Sequence, residues 1–273
     1  MKFISTVFNF YVNASIHVAF AVLAFMAITV IEYDLQISAS LWFFVFFGTV
    51  AGYNFIKNVE IVSRRDAKTD RWLRFILGFS FICFGLTIYF ASQLSIETIG
   101  LATILSLLTF FYAVPLLKQS SLRNLGGIKI FIVGLVWSGV TVILPVVASK
   151  MVFDADIWLT FAQRFFMVLA LTLPFEIRDL HLDISALKTI PQQLGLSKTR
   201  SFGYFLLLAT LVLDGFKDEF STVYFISLLI ICVIIIGVLI TSEEKQRKHF
   251  ASFWVEGIPI YWLALLLLLK ELF

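Results

Sequence analysis

Charge is scarce in this chain: Asp, Glu, Lys and Arg make up 14% of its 273 residues, against roughly 25% in soluble domains. Apolar residues take the place of charge, at 60% with 31 Phe, and such a composition excludes an ordinary water-soluble globule. No long polar stretch is available for an extra-membrane domain, so residues 1–273 read as a single transmembrane helical domain. Cysteine is reduced to Cys83 and Cys232, both inside apolar runs and far apart. They read as small core residues rather than as a disulfide or metal pair. No small-residue cleavage site follows the first apolar run, which therefore reads as a retained helix. A basic tail is also missing, as is any basic surface interleaved with aromatics. This excludes nucleic acid as a partner, despite a net charge of +3 and a pI of 8.8.

What is present is a series of apolar runs, each about 17–20 residues long and sufficient to cross a hydrocarbon core of ~30 Å as a helix. They predict nine transmembrane helices near 9–31, 40–57, 74–92, 97–117, 129–149, 157–177, 199–214, 221–241 and 252–270. The seventh has a short apolar stretch, Phe202 to Leu213, and is expected to borrow residues from the preceding loop or to lean on its neighbours. Apart from Lys150, Lys217, Lys270 and the intrahelical Arg164, every Lys and Arg falls on one alternate set of segments. The opposite set is acidic, with Glu32, Asp34, Glu97, Asp154, Asp156, Asp214, Asp218 and Glu219. The positive-inside rule then predicts a cytoplasmic amino terminus and an external carboxyl terminus, consistent with an odd number of spans. The long loops, 58–73 and 178–198, lie on the cytoplasmic side, where a site is expected.

The sixth run ends as LPFEIRDLHLD, Leu173 to Asp183, which spaces Glu176, Asp179 and Asp183 by three and four so that one helical face can carry them. Carboxylates beside an apolar interior call for a partner or a metal, and Mg²⁺ uses one or two such groups together with substrate phosphates. The alternative is a solvated loop start in which the acids pair with Arg178 or Lys188. The second run ends as AGYNFIKNVEIVSRRD, Ala51 to Asp66, with Asn54 and Asn58 four apart and Lys57 beside them. Such amides either bond a phosphate or join helices. Asn9, Asn13 and His17 form a stripe along the first helix, read mainly as interhelical glue. Arg164 is expected to snorkel outward past Gln163. Trp42, Trp72, Trp158, Trp254 and Trp262 are expected at the interface, with Trp137 more internal. A transporter would need ionisable groups near mid-membrane, and few are seen.

On these motifs the chain resembles the UbiA-type intramembrane prenyltransferases. IRDLHLD, Ile177 to Asp183, followed by KTIPQQLG, Lys188 to Gly195, is similar to that family's second Asp motif and its continuation. FYAVPLLK, Phe110 to Lys118, and GLVWSG, Gly134 to Gly139, add support. The resemblance implies an all-α bundle of nine helices in a membrane, by analogy a bacterial inner membrane. It implies transfer of a polyprenyl group from its diphosphate to an aromatic or other lipid-soluble acceptor, with Mg²⁺ held by Asp179 and Asp183 as the catalytic acids. Asn54, Lys57, Asn58, Lys118, Glu176, Arg178 and Lys188 are then the substrate-side residues. The chain departs from the family's N-D-x-x-D-x-x-x-D: with Asn54 aligned to the leading Asn, Phe55, Asn58 and Val62 stand at the acidic positions. A second reading is therefore a catalytically silent relative that binds a prenyl lipid or quinone, or serves as a subunit of a membrane complex.

Overall fold

The structure, a computed structural model, describes residues 2–63, 71–113, 127–181 and 189–273, with the side chains of 2, 3, 59–63 and 181 excepted. Among these residues the regular structure is all helical. The helices are α1 (Lys2–Asn13), α2 (Ile16–Glu32), α3 (Ala39–Ser63), α4 (Arg71–Ala91), α5 (Ile96–Ala113) and α6 (Ile128–Ser138), followed by α7 (Leu144–Ser149) and α8 (Ala155–Arg178). The last three are α9 (Ile190–Asp214), α10 (Thr222–Thr241) and α11 (Ile258–Leu272). Among the described residues seven helical stretches are long and apolar enough to cross a membrane, or eight if α1 and the sharply bent α2 count as one span. The protein is an integral membrane protein. The seventh predicted run does borrow from the preceding loop, since α9 starts at Ile190.

Where the helices deviate from regularity, a local cause is visible. Pro145 brings no N–H to the fifth predicted run, and the turn before it, Gly139–Ile143, relaxes to π geometry between α6 and α7. Asp154 caps α8 by accepting the Ile157 N–H at 2.9 Å, and Ser221 caps α10 through the Tyr224 N–H. The KTIPQQLG segment turns out to be a helix start. Thr189 is the N-cap of α9, Pro191 lies in the first turn, and the Gln192 side chain accepts the Thr189 N–H at 2.9 Å. Gly195, at φ 75°, kinks the helix where an L side chain would be strained.

α2 and α8 are the most deeply buried elements. α8 packs chiefly on α9 and α6, and α2 on α11 and α3. Their shared core includes Phe25, Ile28, Met167, Leu173, Leu228 and Trp262. α4, by contrast, buries only Ile76 and Cys83 and leaves Phe75, Phe81, Ile82 and Tyr89 exposed, as suits a lipid-facing helix. Cys83 and Cys232 are buried free thiols, as the sequence implied.

Two expectations about the core are overturned. Arg164 does not snorkel: it is 2% exposed, donates to the Phe25 carbonyl at 2.8 Å and lies 4.3 Å from the Phe25 ring and 5.2 Å from that of Trp262. A partner carbonyl and two ring faces within reach hold the guanidinium inside. Trp262 likewise leaves the interface for the core, where its indole N–H meets Ser227 Oγ at 3.0 Å. Trp158 and Trp254 stay exposed, as expected.

Close approach of α9 to its neighbours depends on Gly203, where an added Cβ would lie 2.6 Å from Leu239 Cδ1 and 3.0 Å from Leu173 Cδ1. Gly203→Val is expected to lower stability by about 1–3 kcal/mol through overpacking. The check is a reduced unfolding midpoint of the detergent-solubilised protein, with the neighbouring exposed change Phe205→Leu as control.

Candidate functional site

The predicted acids sit where α8 runs out. Asp179 opens a short 3-10 turn, Asp179–His181, and its side chain is 25% exposed. Both of its oxygens are engaged by the preceding residue: Arg178 Nε donates to Oδ1 at 2.7 Å and Nη2 to Oδ2 at 3.0 Å, a bidentate fork. The guanidinium also lies 5.3 Å from the Phe175 ring. Glu176 does not join them. It is 1% exposed and paired with Lys129 of α6 at 2.6 Å. The spacing of three and four thus serves two tasks, because α8 ends at Arg178 and the helical face ends with it. Asp183, Lys118 and Lys188 lie outside the described residues.

The second predicted segment turns inward to hold a broken helix. Between α1 and α2 the chain bends by 58°, with Ser15 at φ 60°, so backbone groups there lose their helical partners. Asn54, 1% exposed, serves the Ala14 carbonyl and the Ser15 hydroxyl there. Its Oδ1 accepts from Ser15 Oγ at 2.8 Å, and its Nδ2 donates to the Ala14 carbonyl at 3.1 Å and to Ser80 Oγ of α4 at 2.9 Å. Lys57 Nζ adds a bond to Ser15 Oγ at 2.9 Å. Asn58 turns back on its own helix, donating to the Asn54 carbonyl at 2.7 Å. Phe55 is exposed and stacks on Phe110.

The break also dissolves the predicted stripe on the first helix. Asn9 bonds only to nearby Ser5, whereas His17 lies beyond the bend and joins Tyr11 Oη to the Phe253 carbonyl at 3.0 and 2.9 Å. Phe253 belongs to a π-helical turn, Phe250–Val255, leading into α11. Just after that turn comes Glu256, half-buried, whose charge acts on both Lys57 and Arg178. Glu256 is the residue that reading the motifs missed. Its one signal in the sequence is an acid set inside the last apolar run, between Trp254 and Gly257. Tyr53, one turn before Lys57 on the same face of α3, is bonded by the Trp137 indole at 2.6 Å and feels the same carboxylate.

At this mouth of the bundle, then, Asp179 and Arg178 form a closed pair, and the charge of Glu256 acts on Arg178, Lys57 and Tyr53. Among the described residues no three His, Cys, Asp or Glu side chains gather closely enough to hold a metal ion. Of the two carboxylates there, Asp179 stands at the helix end, and freed from Arg178 it would suit Mg²⁺ as one ligand in a shell completed by phosphate oxygens.

Solved structures share this architecture over almost the whole chain. A UbiA homologue from Aeropyrum pernix K1 superposes with a TM-score of 0.64 at 16% identity, over 93% of this chain and 98% of that one. The fold is that of the UbiA homologues. A UbiA homologue from Archaeoglobus fulgidus bound to DMAPP and Mg²⁺ gives 0.62 at 10% identity, covering 97% and 99%. A digeranylgeranylglyceryl phosphate synthase structure gives 0.57 at 19%, covering 98% and 97%. No family model and no curated protein matches the sequence. Within this UbiA fold, the Asn54 segment acts on the described atoms as a clamp.

Removing that clamp is expected to cost stability first. Asn54→Leu leaves the Ala14 carbonyl and the Ser15 hydroxyl short of partners inside the bundle, a loss of about 1–3 kcal/mol. Ser80→Ala, which removes one of the bonds, is expected to cost less. Unfolding midpoints of the two variants in detergent check the order.

Proposed function

We propose that this protein binds a polyprenyl diphosphate at the Asp179 mouth and transfers its prenyl group to an aromatic or other lipid-soluble acceptor. The observation that carries the reading is a carboxylate at a helix end, paired with Arg178, where the charge of Glu256 acts on two cations, Arg178 and Lys57. Support comes from the shared fold with a homologue bound to DMAPP and Mg²⁺. In this reading an arriving diphosphate takes the Arg178 fork from Asp179, since a phosphate accepts the same bidentate geometry. Asp179 is thereby released to act, with Asp183, as a metal-side acid. Bound Mg²⁺ supplies positive charge against the departing diphosphate. Lys57 adds a second cation on the α3 side, and Lys118 and Lys188 extend the basic set. Asn58, bonded to a carbonyl of its own helix, and Glu176, paired with Lys129 of α6, support the substrate side from there. In this reading the Tyr53 and Trp137 rings offer aromatic faces to an allylic cation.

The same reading takes residues 1–273 as one transmembrane domain of nine spans in a bacterial inner membrane, with the amino terminus and the Asp179 mouth cytoplasmic. Asn54 favours a second reading, because its carbonyl and both of its bonds from nitrogen are committed to the fold. A relative in which the first acidic segment has become a clamp is suited to hold a prenyl lipid or quinone without turning it over, alone or within a membrane complex.

Binding of geranyl and farnesyl diphosphate to the purified protein, with and without Mg²⁺, separates the outcomes. Mg²⁺-dependent binding that weakens by about tenfold or more in both Asp179→Asn and Asp183→Asn is expected. Equal binding by all three proteins removes the proposed site. Pyrophosphate released on adding lipid-soluble aromatic acceptors then identifies the transferase, and its absence the silent binder.

A further inference from the structure

The end of the bundle away from Asp179 carries a second set of buried charges. Asp156 and Asp179 lie at the two ends of α8, about 34 Å apart at ~1.5 Å per residue, so the two clusters occupy opposite membrane faces. At the Asp156 end, the tails of α2, α9 and α11 meet the heads of α8 and α10 around a cavity of about 400 Å³. Its floor holds Glu32, Asp156, Asp214 and Lys217, and its walls include Val223, Leu266 and Phe273.

The polar atoms of the floor can be followed one by one. Lys217 Nζ donates to Glu32 Oε1 at 2.5 Å and to Asp214 Oδ1 at 3.1 Å. Gln163 Nε2 also donates to Asp214 Oδ1, at 3.0 Å. Both oxygens of Asp156 accept backbone N–H groups, from Asp218 at 2.9 Å and Glu219 at 3.0 Å. Arg164, behind the floor, gives its bonds to the Phe25 carbonyl and Thr29. Two oxygens are left over, Gln163 Oε1 and Glu32 Oε2, and of these residues Glu32 lines the cavity. Glu32 Oε2 is buried and accepts no hydrogen bond, on a side chain only 10% exposed that lines the cavity. A buried carboxylate oxygen without a donor is costly.

The missing donor has a definable chemistry. Three carboxylates, Glu32, Asp156 and Asp214, share the region with two cations, Lys217 and Arg164, so the floor remains net negative and favours a donor that is itself positive. Lys270 also lines the cavity, as do Phe220 and Phe273, both exposed apolar groups. A negative floor, a lysine in the lining and exposed apolar side chains match an ammonium, a phosphate and acyl chains.

We propose that this cavity is a binding site for the phosphoethanolamine headgroup of a membrane lipid, its ammonium donating to Glu32 Oε2 and its phosphate meeting Lys270. Specificity follows from hydrogen count. A primary ammonium has N–H groups for Glu32, a quaternary choline has none, and a glycerol headgroup lacks the charge.

Native mass spectrometry of the full chain in detergent tests this, using phosphatidylethanolamine, phosphatidylcholine and phosphatidylglycerol with identical acyl chains. The ethanolamine lipid is expected to be retained at about tenfold lower concentration than the other two. Glu32→Gln is expected to erase that preference. Lys270→Ala is expected to weaken the ethanolamine and glycerol lipids together. Free phosphoethanolamine that displaces the lipid shows recognition of the headgroup alone, and failure to displace shows that the acyl chains are required. Val223→Phe fills the cavity from its wall and provides a second variant should Glu32→Gln fold poorly; it too must lose the preference. Equal retention of the three lipids by the wild type, or a preference that survives in the folded variants, overturns the proposal. Prenyl diphosphate binding at the opposite mouth is read separately and does not bear on the result.

Discussion

A helix interrupted within an apolar bundle must find new partners for the backbone groups it exposes, and the rest of this structure depends on how that is done at Ala14 and Ser15. Asn54 supplies an acceptor and two donors where the first span bends, and so ties α1, α2, α3 and α4 at one point. The bend turns His17 toward the π-helical turn before α11, and that turn leads directly into Glu256, whose charge acts on Lys57 and Arg178. The mouth of the bundle is thus assembled by a chain of side chain to backbone bonds that starts at an amide, not at an acid.

α8 organises the molecule along the other direction. Its head carries Asp154 and Asp156, its middle Arg164 and its tail Glu176 and Arg178, so one helix spans both polar ends and pins the buried cation between them. Asp154 caps the helix and Asp156, in its first turn, accepts the Asp218 and Glu219 N–H groups, and both acids agree with the helix dipole. Arg178 at the tail agrees with it as well, and also keeps Asp179 in a closed pair. The two ends differ in their chemistry. The Asp179 mouth gathers cations around few carboxylates, and the Asp156 end gathers carboxylates around few cations.

Several residues were legible only as alternatives. Asn54 and Asn58 were open between phosphate contact and helix joining; the bonds of Asn54 join helices, and that of Asn58 turns back on its own helix. Asp179 could be read as a free acid or as a partner of Arg178, and it is paired. Arg164 and Trp262 were misplaced because a rule about membrane interfaces considers only position along a helix. Whether a neighbouring helix offers a carbonyl, a ring or a hydroxyl at that height is a fact about packing. Glu256 escaped notice because it belongs to no recurring motif and its partners are about 80 and 200 positions away in the chain.

The sequence by itself determined that the chain belongs in a membrane, where its helices lie, and which segments resemble the UbiA motifs. These follow from sums over neighbouring residues, and hydrophobic transfer and helix capping are local quantities. Only the tertiary structure decided that Asn54 repairs a broken span, that Arg164 is interior, and that Glu32, beside a cavity, keeps a buried oxygen without a partner. Hydrogen bonds and ion pairs are short-ranged, and in a bundle the atoms within their reach come from helices far apart in the chain.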